Sequence, residues 1–85
     1  GFVNEVLGPL LKYAESRETP LLETLEALVA ARWVRRGAAR ALGIHINSMG
    51  YRIERIQGLA GLSLNDPETR VAIAIALRAR AMLGM

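Results

Sequence analysis

Apolar residues recur three and four positions apart through Leu21, Leu22, Leu25, Leu28 and Val29, with acidic Glu23 and Glu26 between them. That spacing puts the apolar set on one side of an amphipathic helix. Thr19-Pro20 supplies its start, a capping residue followed by a proline whose missing N–H costs nothing in a first turn, and the pattern runs to about Ala31. Upstream, 2–7 reads as a short helix stopped by Gly8-Pro9, and 9–16 as the next. Asp66-Pro67-Glu68 is the strongest start signal in the chain: cap, proline at the first helical position, acid in the first turn. The Val71–Leu77 run behind it alternates large and small, like a strand. Its small residues are alanines, poor in strands and best in helices, so it is predicted helical. A helix apolar on every side is expected to be covered on every side, by central packing, by a partner subunit, or by both. The chain as a whole is predicted to be all-α, a small bundle of about five helices.

The stretch between Val34 and Ala60 carries the most specific pattern. Ala38, Ala39 and Leu42 put small and apolar residues on one helix face, and Gly43 ends that helix because it enters a left-handed turn without steric cost. Ile44 follows as an apolar plug, with Asn47 or Ser48 expected to cap the next helix. There Met49, Ile53, Ile56 and Ala60 form a stripe at i, i+4, i+7 and i+11. Ala39, Gly43 and Met49 thus stand at the spacing of a helix-turn-helix: a small residue where two helices cross, a glycine at the turn, an apolar anchor in the second helix. At about 100° per residue the face opposite the stripe carries Asn47, Tyr51 and Glu54, flanked by Ser48 and Arg55, with Arg52 between flank and stripe. Those side chains have the donors that base edges and phosphates accept.

Charge sharpens this picture. The net charge is only +3, but residues 1–31 sum to −3, residues 32–55 to +5 and residues 56–85 to +1. Every cation in the middle window is arginine, the residue that pairs bidentately with phosphate and guanine. Arg36 and Arg40, four apart on one face, are the best placed to hold phosphates beside a groove. An alternative reading stays open: a protein-interaction or oligomerisation module whose Arg-rich face meets an acidic partner.

From about Leu21 to Met82 the chain resembles the C-terminal helix-turn-helix of PucR-type bacterial regulators, the group that includes the CdaR-like sugar-diacid regulators, and its turn region is similar to Fis-type DNA-binding helices. The resemblance rests on TLEAL (24–28), AARALGIHINSMGYRIERI (38–56), the GLSL of 61–64, NDPETR (65–70) and IALRAR (75–80). The family usually opens its recognition helix with His-Arg-Asn-Thr-Leu-Arg-Tyr-Arg. His45, Asn47, Tyr51 and Arg52 match, and Ser48 and Met49 are conservative stand-ins. Ile46 and Gly50 depart, each standing where the family commonly has Arg, so two cations are missing from the reading face. The resemblance implies sequence-specific binding of double-stranded DNA by a transcription regulator, with the helix at about 47–60 in the major groove. The expected contacts are Arg36, Arg40, His45, Asn47, Ser48, Tyr51, Arg52 and Arg55. It also implies a homodimer in the full-length protein and an effector sensed by a domain upstream of this one.

Other chemistry finds little support. There is no cysteine, which removes disulfides and thiolate metal sites. The lone His45 has no acidic pair nearby to complete a metal site, and Ser48, His45 and Glu54 suggest no cleft or oxyanion hole. Neither an enzyme nor a cofactor is expected. The longest apolar run, Val71–Leu77, falls far short of the roughly 20 residues a membrane span needs; no secretory leader is visible, and a cytoplasmic location is expected. With Gly1 in place of an initiator Met, residues 1–85 read as one domain, the C-terminal fragment of a longer regulator.

Overall fold

The computed structural model describes residues 6–8 and 20–84, and among them every regular element is a helix. Residues 6–8 are helical; the helix expected at 9–16 lies outside the described residues, as does Thr19. Four helices follow: α1 (Leu21–Ala30), α2 (Arg35–Leu42), α3 (Ile46–Ala60) and α4 (Pro67–Met82). α1 is the hub, with α2, α3 and α4 each packing on it and α2 and α3 packing on one another.

The core is what the periodicity implied. α1 contributes Leu21, Leu25 and Leu28, α2 contributes Ala38 and Ala39, and α3 contributes Met49, Ile53 and Ile56, all buried. Leu7, Leu64, Ile73 and Ala76 complete it. The two alanines of α2 matter because small side chains allow close helix crossing. No helix among the described residues is long and apolar enough to cross a membrane.

Two helix ends show how the bundle turns its corners. At the close of α2, Gly43 sits at φ 68°; its N–H donates to the Arg40 carbonyl, while the Ile44 N–H reaches back to Ala39 at 3.0 Å. This pair of bonds is a Schellman closure, and Ile44 packs half-buried against the core. The same closure ends α1, where the Arg32 N–H donates to Val29 and the Trp33 N–H to Leu28 at 2.7 Å. Here no glycine is available: Arg32 and Trp33 take φ 54° and 67°. Left-handed backbone costs an L-residue about 1–2 kcal/mol, so packing and hydrogen bonds must hold this corner. Trp33 is half-buried against the core, and the Arg70 guanidinium lies over its ring, 5.1 Å from the centroid.

α4 begins as its sequence demands. The Asp66 carboxylate accepts from the Thr69 N–H at 3.0 Å and from the Thr69 hydroxyl at 2.9 Å, with Pro67 next. Central packing within the chain does not cover it on every side: Ile73 and Ala76 are buried, whereas Val71, Ile75 and Met82 are 59%, 55% and 81% exposed. Among the four helices α4 packs only on α1.

Candidate nucleic-acid interface

α3 is held from beneath and from both ends, so its outer side is a fixed surface. Met49, Ile53 and Ile56 are 0%, 3% and 1% exposed, and they anchor the helix on α1 and α2. Its first turn is capped by His45, extended at ψ 152°, whose Nδ1 accepts from the Asn47 N–H at 3.0 Å. This corrects the expectation that Asn47 or Ser48 caps the helix. The Gly43 turn spans only to His45, so α3 begins at Ile46 and both residues fall inside its first turn. At the far end Gly61 turns at φ 67°. One turn earlier, the Gln57 side chain accepts from the Leu64 N–H at 2.9 Å and pins the connection to α4.

On the outer side Asn47, Ser48, Tyr51 and Glu54 are exposed, Tyr51 at 60%. They lie on one helix, within its first nine residues, as the rotation argument required. Arg55 is half-buried on the flank. Tyr51, Glu54, Arg55, Gly58 and Leu59 line a shallow open hollow, left where Gly58 contributes no side chain. Glu54 is the single acid on this face.

Arg52 has a divided position. It is half-buried, and its Nη1 donates to the Thr24 hydroxyl at 3.1 Å, while that hydroxyl donates to the Pro20 carbonyl at 2.8 Å. Thr24 is wholly buried in α1. A buried hydroxyl needs partners, and this one has both a donor and an acceptor. Arg52 thereby ties the outer helix to the hub across 28 positions of sequence. Its remaining guanidinium donors, fixed in the planar fork, are oriented by that bond.

The arginines of the middle window mostly face solvent. Arg32, Arg35, Arg36 and Arg40 are exposed along the α1–α2 corner and α2, which leaves the four charges free to gather anions. Arg36 and Arg40 sit on α2 and the other predicted contacts on α3 or at its cap. The candidate residues are thus carried by the two helices of the motif. Among the described residues no group of three His, Cys, Asp or Glu side chains is arranged to hold a metal.

Three residues that position this surface escaped the sequence reading: Thr24, Gln57 and Arg70. Arg70 bridges two corners, donating through Nε to the Leu64 carbonyl at 2.6 Å while stacking on Trp33. Gln57, Leu64, Arg70 and Trp33 thus link the end of α3 to the start of α4 and the end of α1. None of these contacts has a periodic signature, although Arg70 lies in the NDPETR segment quoted above.

Comparison with known proteins agrees with this geometry. The family described as the PucR C-terminal helix-turn-helix domain matches residues 21–79. Among curated proteins, the purine catabolism regulatory protein of Bacillus subtilis (strain 168) is 32% identical over 82 residues, 96% of this chain and 15% of that protein. The DNA-binding transcriptional activator AdeR of the same organism is 29% identical over 82 residues, 96% of this chain and 19% of its own. The proline-responsive transcriptional activator PutR, also from Bacillus subtilis, is 33% identical over 76 residues, 89% of this chain and 18% of its own. The chain spans less than a fifth of the length of each of these relatives. No solved structure matches it.

Proposed function

The chain belongs to the PucR C-terminal helix-turn-helix family, and from that premise we propose that it is the DNA-reading domain of a transcription regulator, laying α3 in the major groove of a specific double-stranded site. The observation that carries this reading is the division of α3 into two sides. Three wholly apolar residues fix one side to the bundle, while Asn47, Ser48 and Tyr51 project on the other. Asn can pair bidentately with adenine, and Ser or Tyr hydroxyls serve bases or phosphates. Arg36 and Arg40 on α2, together with His45 at the turn, supply phosphate contacts that set register. Arg52 and Arg55, half-buried at the flanks, contribute through whichever guanidinium donors reach the backbone of the duplex.

One such helix reads too few bases for a unique genomic site, and modules of this kind pair across half-sites about 34 Å apart. We assign pairing to the exposed apolar stripe of α4, Val71, Ile75 and Met82, in the full-length protein and about a two-fold axis. Relatives five to seven times longer support an upstream domain that senses an effector in the cytoplasm.

The test is binding to mixed-sequence duplex DNA across a salt series, followed by selection of bound sequences from a random pool. A phosphate-binding domain loses affinity with a log–log slope of about −0.9 per phosphate neutralised, and Arg36→Ala or Arg40→Ala each flatten that slope by about one unit. Tyr51→Ala weakens the selected site while leaving the helical signal intact, because the side chain is exposed. Absence of binding at low salt by a dimeric full-length protein overturns the proposal in favour of an acidic protein partner for the Arg face.

A further inference from the structure

Tyr51 is not the only bulky side chain that α3 leaves in water. Ile46, its first residue, is 40% exposed. A lone isoleucine on a surface is ordinary; its place is what distinguishes this one. It directly follows the capping His45 and precedes Asn47 and Ser48, at the end of the helix that enters a groove first. One turn on, in line with it, stands Gly50. A Cβ built on Gly50 meets nothing within 4 Å, the Ile46 side chain included, so the helix surface there is bare backbone one turn on from an exposed aliphatic side chain. Polar base edges gain nothing from such a notch. The single apolar group that the major groove displays is the C5-methyl of thymine.

We propose that Ile46 and Gly50 form a receptor for a thymine methyl, and that this pair sets an A·T preference at one base pair of the half-site. Ile46 supplies the apolar contact. Gly50 supplies clearance, letting the base edge approach the helix where any side chain holds it away. The inference rests on α3 lying in the major groove, and it assigns specificity to two residues that carry no hydrogen-bonding group.

The experiment begins with sites selected from a random duplex pool by the wild-type full-length protein. Each thymine of the selected site is then replaced singly by deoxyuridine, which removes only the methyl. Affinities are measured at one salt concentration for wild type, Ile46→Ala and Gly50→Ala. At one position, loss of the methyl weakens wild-type binding about fourfold, the effect of one methyl-sized group leaving an apolar contact. At that position Ile46→Ala is indifferent to the methyl. Gly50→Ala binds the thymine site less tightly than wild type although its helical signal is undiminished. A selected site in which no thymine methyl matters, or in which Ile46→Ala keeps the full methyl dependence, overturns this receptor and leaves DNA reading standing. A pool that yields no enriched site removes DNA reading itself.

Discussion

Three glycines of the motif should respond to the same methyl group with opposite signs, and the structure says which is which. Gly50 and Gly58 lie inside α3, and a Cβ at either meets nothing within 4 Å. Gly43 also has open space, but its φ is 68°. In a helix interior alanine is favoured over glycine by about 1 kcal/mol, so Gly50→Ala and Gly58→Ala each stabilise the domain by that amount. The two sites are about 12 Å apart along the axis at 1.5 Å per residue, far enough to act independently. The double variant therefore gains about 2 kcal/mol. For a domain of this size 1 kcal/mol moves Tm by roughly 4–8 °C. Gly43→Ala forces a Cβ into the left-handed region and loses about 1–2 kcal/mol, an effect that no vacancy in the surroundings relieves. Thermal and urea unfolding followed by far-UV circular dichroism measures all four, with an unchanged urea slope expected. Loss of stability in Gly50→Ala refutes the open surface on which the notch beside Ile46 depends. A neutral Gly43→Ala refutes the left-handed closure that turns α2 into α3.

Other positions give independent checks. Thr24→Val keeps shape but removes the hydroxyl between Pro20 and Arg52; a loss of about 1–3 kcal/mol in urea unfolding is expected, whereas unchanged stability argues that the bond contributes nothing. Arg70→Ala removes both the Leu64 bond and the stack on Trp33, a loss of about 1–3 kcal/mol. Because Trp33 is the only tryptophan, its fluorescence must change in the folded Arg70→Ala protein; an identical spectrum refutes the stack. Asp66→Ala deletes the α4 cap and costs about 0.5–2 kcal/mol, with Asp66→Asn or Asp66→Ser retaining most of it.

The parts of this architecture that the sequence makes legible are those written in local repeats. The Ala39, Gly43, Met49 spacing gave the motif, the Met49-to-Ile56 stripe gave the buried side of α3, and the Asp66-Pro67 start outweighed the strand-like alternation of Val71–Leu77. What stayed hidden depends on exact register or on distant partners. Whether His45, Asn47 or Ser48 caps α3 depends on where the glycine turn ends, a matter of two or three residues. The Arg52–Thr24 bond joins positions 28 apart, and no pattern marks an arginine that turns toward a buried threonine. Arg32 and Trp33 adopt left-handed backbone because the closure of α1 falls there, and the sequence offers no glycine to announce it. The uncovered side of α4 was hidden for a different reason: composition reports that a helix is apolar all round, not how many neighbours it has.

The anchoring of α3 also explains how a helix so poorly suited to independent existence presents a fixed surface. Two interior glycines leave it about 2 kcal/mol short of an alanine counterpart, and its outer side is polar where packing cannot help. Burial of Met49, Ile53 and Ile56, at about 1.5–3 kcal/mol each, outweighs that deficit more than twofold. The helix therefore takes its order from the hub and little from its own sequence. Arg52 on Thr24 and Gln57 on the Leu64 N–H then fix its rotation and its far end. Glycines stand only at positions where no side chain is needed for packing. Positions 50 and 58 are thus free of the structural constraint that governs Met49 and Ile53, so what occupies them is open to be decided by what approaches the outer side of the helix.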